Sequence, residues 1–368
     1  MSDMRSILAD SAARLFADLC TSQAFDKAEN GELDASAWKR LEEAGLTRAT
    51  VPEAQGGDGA DLGDALSLVR GAGEHALPLP LADTLLAQWV LAAAGLPAQA
   101  GIGTIGPVVV PGKQAANDAL ALTRYGDQWR LTGTLYRVPA ARHAGFLAAI
   151  AACEGAHATV LLRGALLQAA LTRRDINFAN EPRDTLAFRD LPVDAACVGP
   201  VGGGLTAEEL RFLGAAFRAV AMSGAMGRVL KLAVAYATER VQFGKPLGGF
   251  QVIQHGLAVL ASQVAAANAA ADAVVDALSR GAAHFEIAAA KARVGEAAHI
   301  VNGLAHQIHG AMGFTHEHAL HRSTRRLWAW RDEFGTEAEW AEWIGRIAVR
   351  LGGDGLWPFL TAEKKQVS

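Results

Sequence analysis

The chain has 368 residues, a formal net charge of −4 at neutral pH, 51% hydrophobic residues and 20% charged residues. That length supports roughly two to three domains with a sizeable core, and the composition excludes a disordered chain. The weak negative balance excludes a general nucleic-acid binder, which needs a basic face to neutralise phosphates.

Residues 1–102 read as a helical domain. Ile7, Leu8, Ala12, Leu15, Phe16 and Leu19 recur at three- and four-residue steps. Ala37 to Leu46 forms a second amphipathic helix, closed by Gly45 where a helix C-terminus favours glycine. Val51-Pro52-Glu53-Ala54-Gln55-Gly56-Gly57-Asp58-Gly59 is a cluster of breakers and predicts a loop. Helical periodicity returns over 61–97, interrupted at Leu77-Pro78-Leu79-Pro80.

Residues 103–204 change period. Short apolar runs alternate with turn signals at Pro107–Pro111, Trp129–Gly133, Phe146–Ile150, Thr159–Leu162 and Leu186–Val193, which predicts a small β-barrel or sandwich. From residue 205 to 368 the helical period persists, with long alanine-rich helices over 207–240, 251–279 and 284–310. Alanine at facing positions lets helices approach closely and predicts a tight four-helix bundle. The fold class is therefore mainly α with a central β domain.

The longest apolar windows are interrupted by Gln, Asn, Asp or His before the ~20 residues of a membrane span, so no span is expected. Cys20, Cys153 and Cys197 are far apart and contain no CxxC pair; they read as reduced thiols of a cytoplasmic protein.

Two segments carry the strongest chemical signal. Arg240-Val241-Gln242-Phe243-Gly244-Lys245-Pro246 puts a planar five-donor fork at a helix end, suited to a diphosphate. Gln307-Ile308-His309-Gly310-Ala311-Met312-Gly313-Phe314 ends a helix on glycines that let a backbone come close to a ligand. His306, His309, His316, His318 and His321 crowd the same stretch, yet the expectation is polar packing and subunit contacts, not a metal site.

In order and spacing these segments resemble the C-terminal half of the acyl-CoA dehydrogenase family, and Trp38–Gly59 is similar to a helix and loop of its N-terminal domain. The resemblance implies an FAD-dependent α,β-dehydrogenation of an acyl-CoA thioester. It implies that Arg240, Gln242 and Phe243 of one subunit and Gln307, Gly310, Gly313 and Thr336 of another hold the flavin, with Tyr136 stacking on it. It further implies electron-transfer flavoprotein as the electron acceptor and assembly as a dimer or tetramer.

The family's base directly precedes a Gly-Thr pair after the third long helix. Here Phe334 stands in that place before Gly335-Thr336, with Glu333 one residue early and Asp332 two. Glu333, or failing it Asp332, is the candidate base. A second branch of the family places its base where Gly214 falls in this chain, beside Ala215, with Arg211 and Arg218 out of register. The family's acidic loop into the strand domain is reduced to Pro111–Leu120, and the strand that backs the isoalloxazine ring matches Tyr136-Arg137-Val138-Pro139.

These departures leave three readings. The leading one is an active acyl-CoA dehydrogenase. The alternatives are a base-deficient partner subunit in a hetero-oligomer acting on bulky or steroid-type acyl-CoA, and a non-catalytic scaffold of the same fold.

Overall fold

The computed structural model describes residues 3–108, 120–126, 128–281 and 283–361, with side chains from residue 9 onward. It divides into two compact units, residues 1–69 with 77–214 and residues 70–76 with 215–368. The expected helical and strand domains thus belong to one unit, and most of the expected bundle is the other.

The first unit begins with α1 (Asp3–Leu19), α2 (Ser22–Glu29) and α3 (Ala35–Glu43). Thr21 caps α2 by accepting from the Ala24 N–H, and the Asp34 carboxylate caps α3 by accepting from Ser36 and Ala37. Gly45 follows α3 at φ 75°, the left-handed stop its position predicted. The breaker cluster is a loop around one short 3-10 turn, Glu53–Gln55. Helices α4 (Leu62–Glu74) and α5 (Leu81–Ala93) follow. The Thr84 hydroxyl of α5 accepts from the Gly103 N–H at 3.0 Å and so fixes the helix to the first strand.

The strands are β1 (Gly103–Gly106), β2 (Ala121–Tyr125), β3 (Gln128–Pro139), β4 (Phe146–Cys153), β5 (Ala156–Arg163), β6 (Leu171–Arg173) and β7 (Arg183–Val193), with the short α6 (Ala165–Ala169) after β5. They form one seven-stranded sheet in the order β1-β4-β2-β3-β7-β6, with β5 also on β4. A strand has two edges, yet β4 has three partners. β5 lines one edge, while β1 (against Phe146–Ala149) and β2 (at Ala152) share the other. The runs at 129–133, 146–150, 159–162 and 186–193 are strands as expected; β1, β2 and β6 are additional, and residues 107 and 108 of the Pro107–Pro111 run follow β1 without strand structure. Of the Pro107–Pro111 run, residues 109–111 lie outside the described residues, as does 111–119 of the shortened loop.

The C-terminal helices are α7 (Ala207–Glu239), α8 (Gln251–Ser279), α9 (His284–His309), α10 (Leu320–Arg331) and α11 (Glu337–Thr361), with a two-strand hairpin of β8 (Val241–Gln242) and β9 (Lys245–Pro246) between α7 and α8. Gly352 breaks the helical conformation within α11 at φ 66°. On α8 the buried positions Leu260, Val264, Ala267, Ala271 and Val274 alternate steps of four and three, the period of a bundle seam.

The last turn of α4 belongs to this unit and crosses α7 at glycines. A Cβ at Gly73 would run into the Ala221 carbonyl, and one at Gly224 into the Arg70 carbonyl. By length and composition α7 and α8 are each apolar enough to cross a membrane. In α7 that character serves the core, since 56% of its most apolar window is buried.

Candidate functional site

The two predicted segments stand at one end of the bundle within a single chain. Tyr236, one turn before Arg240, stacks on His309, the last residue of α9, with ring centroids 4.6 Å apart. Ile308 lies beside Gly256 of α8, 3.9 Å from where a Cβ would sit. The family resemblance pairs these segments across a subunit boundary; within one chain the packing of α7 on α9 already brings them to the same bundle end.

Arg240 leaves the α7 end exposed, and among the described residues its guanidinium makes no ion pair. Its carbonyl accepts from Leu247 at 2.9 Å, which closes the hairpin behind it. The hairpin pairs Gln242 with Lys245 and turns on Phe243-Gly244 at φ 50° and 83°. Two positive φ values define a type I′ turn, in which a phenylalanine is strained. Phe243 is 92% exposed, and its ring meets Phe250 edge-on at 6.2 Å. Gln242 is half-buried.

At the facing helix end Gln307 is exposed. Gly310 takes φ 58° and ψ −142°, a conformation open to glycine, and nothing lies within 4 Å of where its Cβ would be. Gly313 differs: a Cβ there would stand 3.0 Å from both the His309 Cβ and Leu320 Cδ2. Gly310 thus offers open backbone, while Gly313 serves packing. An unpaired guanidinium, a free amide and an open glycine at one bundle end fit the diphosphate of a dinucleotide.

Around the helix end the imidazoles pack on aromatic rings. His306 stacks on Phe314 at 4.3 Å, and His318 meets His309 edge-on at 4.7 Å. Among the described residues no group of histidine, cysteine, aspartate and glutamate is arranged to hold a metal ion.

The candidate base region lies elsewhere in the same unit, on the turn between α10 and α11. Asp332 is exposed. Glu333 is buried, and its carboxylate accepts from the Arg218 Nε of α7 at 2.6 Å. Arg218 is itself buried, its guanidinium 5.9 Å from the Trp330 ring centroid and 5.7 Å from that of Phe334. Phe334 is buried at φ 56°, followed by Gly335 at φ 105°.

Lys291 of α9, fully buried, holds the turn from the other side. Its Nζ donates to the Arg331 carbonyl at 2.6 Å and the Gly335 carbonyl at 2.7 Å. Burial pushes its ammonium down to about 7, with Glu333 and Asp332 opposing the shift and Arg218 adding to it. Thr336 caps α11 with Glu339: its N–H donates to the Glu339 carboxylate at 2.8 Å, and its hydroxyl does so at 3.2 Å. Tyr136 is half-buried on β3 of the first unit, beside a bulge where Arg137 takes φ 57°.

Sequence reasoning missed the Arg218–Glu333 pair, Lys291 and the Tyr236–His309 stack. A signal for the first two was present. Arg218 is the lone charge between Phe212 and Met222, and Lys291 shares the 287, 291, 294, 298, 301 stripe of apolar α9 positions. A charge on a core face must be paired.

The model of the acyl-CoA dehydrogenase N-terminal domain matches residues 2–101, and that of the acyl-CoA dehydrogenase C-terminal domain matches residues 205–355. The acyl-CoA dehydrogenase IpdE2 of Mycobacterium tuberculosis is 31% identical over 299 residues, 80% of each chain. A solved structure described as a variant of the Tcur3481-Tcur3483 steroid ACAD superposes with a TM-score of 0.84 at 24% identity, covering 95% of this chain and 98% of that one. A chain of the ChsE4-ChsE5 complex from Mycobacterium tuberculosis superposes with a TM-score of 0.83 at 23% identity, covering 94% and 97%.

Proposed function

The chain belongs to the acyl-CoA dehydrogenase family, and we propose that it is the base-deficient subunit of an FAD-dependent acyl-CoA dehydrogenase assembled from two homologous kinds of chain. One observation carries this reading: Glu333, the carboxylate nearest the family's base position, is buried on the Arg218 guanidinium at 2.6 Å.

Removing a proton α to a thioester demands a carboxylate held dry and without a fixed counter-charge, so that its proton affinity rises toward neutrality. Glu333 is dry but has such a counter-charge. Asp332 is exposed, and Phe334 fills the base's own place with a ring. In this reading the homologous chain supplies the base.

FAD, when bound, supplies the acceptor for the hydride leaving the β-carbon. This chain's part is to hold it. Arg240 would donate to a phosphate oxygen, Gln307 would hydrogen-bond beside it, and the open Gly310 backbone would allow close approach. Phe243, exposed on its strained turn, offers a ring face to the same ligand. Electron-transfer flavoprotein is the electron acceptor that this reading would require. The substrate class, a bulky steroid-type acyl-CoA, follows the neighbour described as a steroid ACAD, a likeness of fold. The competing reading, in which Glu333 itself takes the proton, draws on its dry setting and requires the guanidinium to leave.

The test is an absorbance spectrum and a native mass, taken on the chain alone and on the chain co-purified with a homologous acyl-CoA dehydrogenase encoded beside it. The proposal expects little flavin in the lone chain and bleaching by steroid-type acyl-CoA only in the mixed assembly. A lone homo-oligomer that is yellow and bleaches on acyl-CoA overturns it.

A further inference from the structure

Five histidines sit around the glycine-notched end of α9, and the flavin-holding role just proposed uses none of their rings. Three aromatic rings there join elements that are distant in sequence. Tyr236 of α7 stacks on His309 of α9 at 4.6 Å, and His309 meets His318, in the loop before α10, at 4.7 Å. Tyr236 and His318 also meet edge-on at 6.1 Å. The stack therefore ties the turn of helix that leads into Arg240 to both flanks of Gly310–Phe314.

The hydrogen bonding fixes the charge of one ring. His318 Nδ1 lies 3.1 Å from the Leu320 backbone nitrogen, the first residue of α10. A backbone N–H only donates, so Nδ1 must accept, and an accepting imidazole nitrogen carries no proton. Protonating Nδ1 removes this cap and sets a cation against the positive end of α10.

Among the described residues no carboxylate belongs to the groups that shift His318. The titratable groups facing the cluster are Tyr236 from α7, His306 and His309 from α9, and His321 from α10. Glu317, alongside in the loop, turns its carboxylate to its own backbone N–H and the Thr315 hydroxyl. Burial and the neighbouring imidazoles hold His306 and His318 below the ordinary histidine range. Burial does the same to His309 against the pull of the Ala305 and Leu232 carbonyls.

We propose that Tyr236, His309 and His318 form a proton-sensitive positioning stack: neutral, it holds the Arg240 and Gly310–Phe314 segments in register, and a proton on His318 releases the turn between them. The link to flavin retention rests on the function proposed above. The release itself does not, and it is tested without flavin.

The experiment is hydrogen–deuterium exchange on the full, flavin-free chain at about pH 5 and about pH 7.5, corrected for intrinsic exchange. Protection over 310–320 should fall by roughly tenfold or more at the lower pH while α8 stays protected. His318→Asn, which keeps an acceptor but does not titrate, should retain protection at both. The His318 ring proton, followed by NMR in the parent chain, should titrate below the unperturbed 6.5. Exchange that tracks α8 at both pH values overturns the proposal. So does loss of protection in His318→Asn at the same pH as the parent, or a His318 midpoint at or above the unperturbed value. A chain that passes this test yet never holds flavin refutes the functional reading and leaves the stack standing.

Discussion

Glu333→Gln separates a structural carboxylate from a catalytic one. The substitution keeps the shape and an acceptor oxygen but removes the charge that faces Arg218 at 2.6 Å. Arg218 is only 3% exposed, so its guanidinium gains no compensating water. Breaking a buried pair by removing one partner costs about 3–5 kcal/mol. The retained amide oxygen and the Trp330 and Phe334 ring faces place the loss at the lower end, about 3 kcal/mol. At ~2–4 °C per kcal/mol for a cooperative unit of about 150–250 residues, the unfolding midpoint of the C-terminal unit should drop by roughly 6–12 °C. Thermal and urea unfolding of parent and variant measure it. The double variant Arg218→Met, Glu333→Leu should recover part of the loss, because both members of the buried pair are removed, while Lys291 loses the opposing charge of Glu333. The reasoning is refuted if Glu333→Gln is as stable as the parent, within about 0.5 kcal/mol, yet abolishes flavin bleaching by acyl-CoA. That pair of results would make Glu333 the base.

Arg240→Ala should weaken flavin retention in the mixed assembly by roughly 1.5–3 kcal/mol, read as the FAD dissociation constant; unchanged affinity removes Arg240 from the site. Gly224→Ala should destabilise the bundle by about 1–3 kcal/mol, because its Cβ would enter the Arg70 carbonyl; a neutral result in urea denaturation would show that α4 can move aside. Lys291→Met tests the buried ammonium through pH. Folding lowers the Lys291 pKa from 10.5 to about 7, so between those values the unfolded chain holds a proton that the folded chain lacks. The parent's stability relative to the variant is therefore greatest above about 10.5 and falls away as pH drops to about 7. The change is on the order of a few kcal/mol; a difference flat with pH would mean that Lys291 stays charged throughout.

The long helices were legible because their apolar positions repeat without interruption, and 251–279 matches α8 to the residue. Gly45 was legible as a helix stop because only its backbone matters there. The strands β1, β2 and β6 were not; β1 is four residues, all buried, and shows no alternation. Ala121–Tyr125 buries only Leu122, so it lacks the alternation that marks a half-buried strand, and Leu171–Arg173 is too short to show a period. Of the candidate site residues, Arg240, Gln307 and Gly310 were legible as standing at helix ends, which is where the structure has them; that they hold flavin is the proposal. The state of Glu333 could not be read locally, because its partner lies 115 positions away on another helix. The histidines were visible as a crowd, but whether they bind a metal or stack depends on ring directions that spacing does not define.

If the chain is the base-deficient subunit proposed above, Phe334 shows why gaining a base there would take more than one step. Its left-handed backbone and the glycine after it pin the side chain beside the Arg218 guanidinium, 5.7 Å from the ring centroid. A glutamate introduced there would find a cation already waiting, become a stable anion, and bind protons poorly. In that reading competence would return only when the arginine was also replaced, and replacing Arg218 alone would strip the buried Glu333 of the guanidinium it accepts from at 2.6 Å. On that reading, passage from helper to independent enzyme crosses a valley, and dependence on a partner would be easier to acquire than to shed.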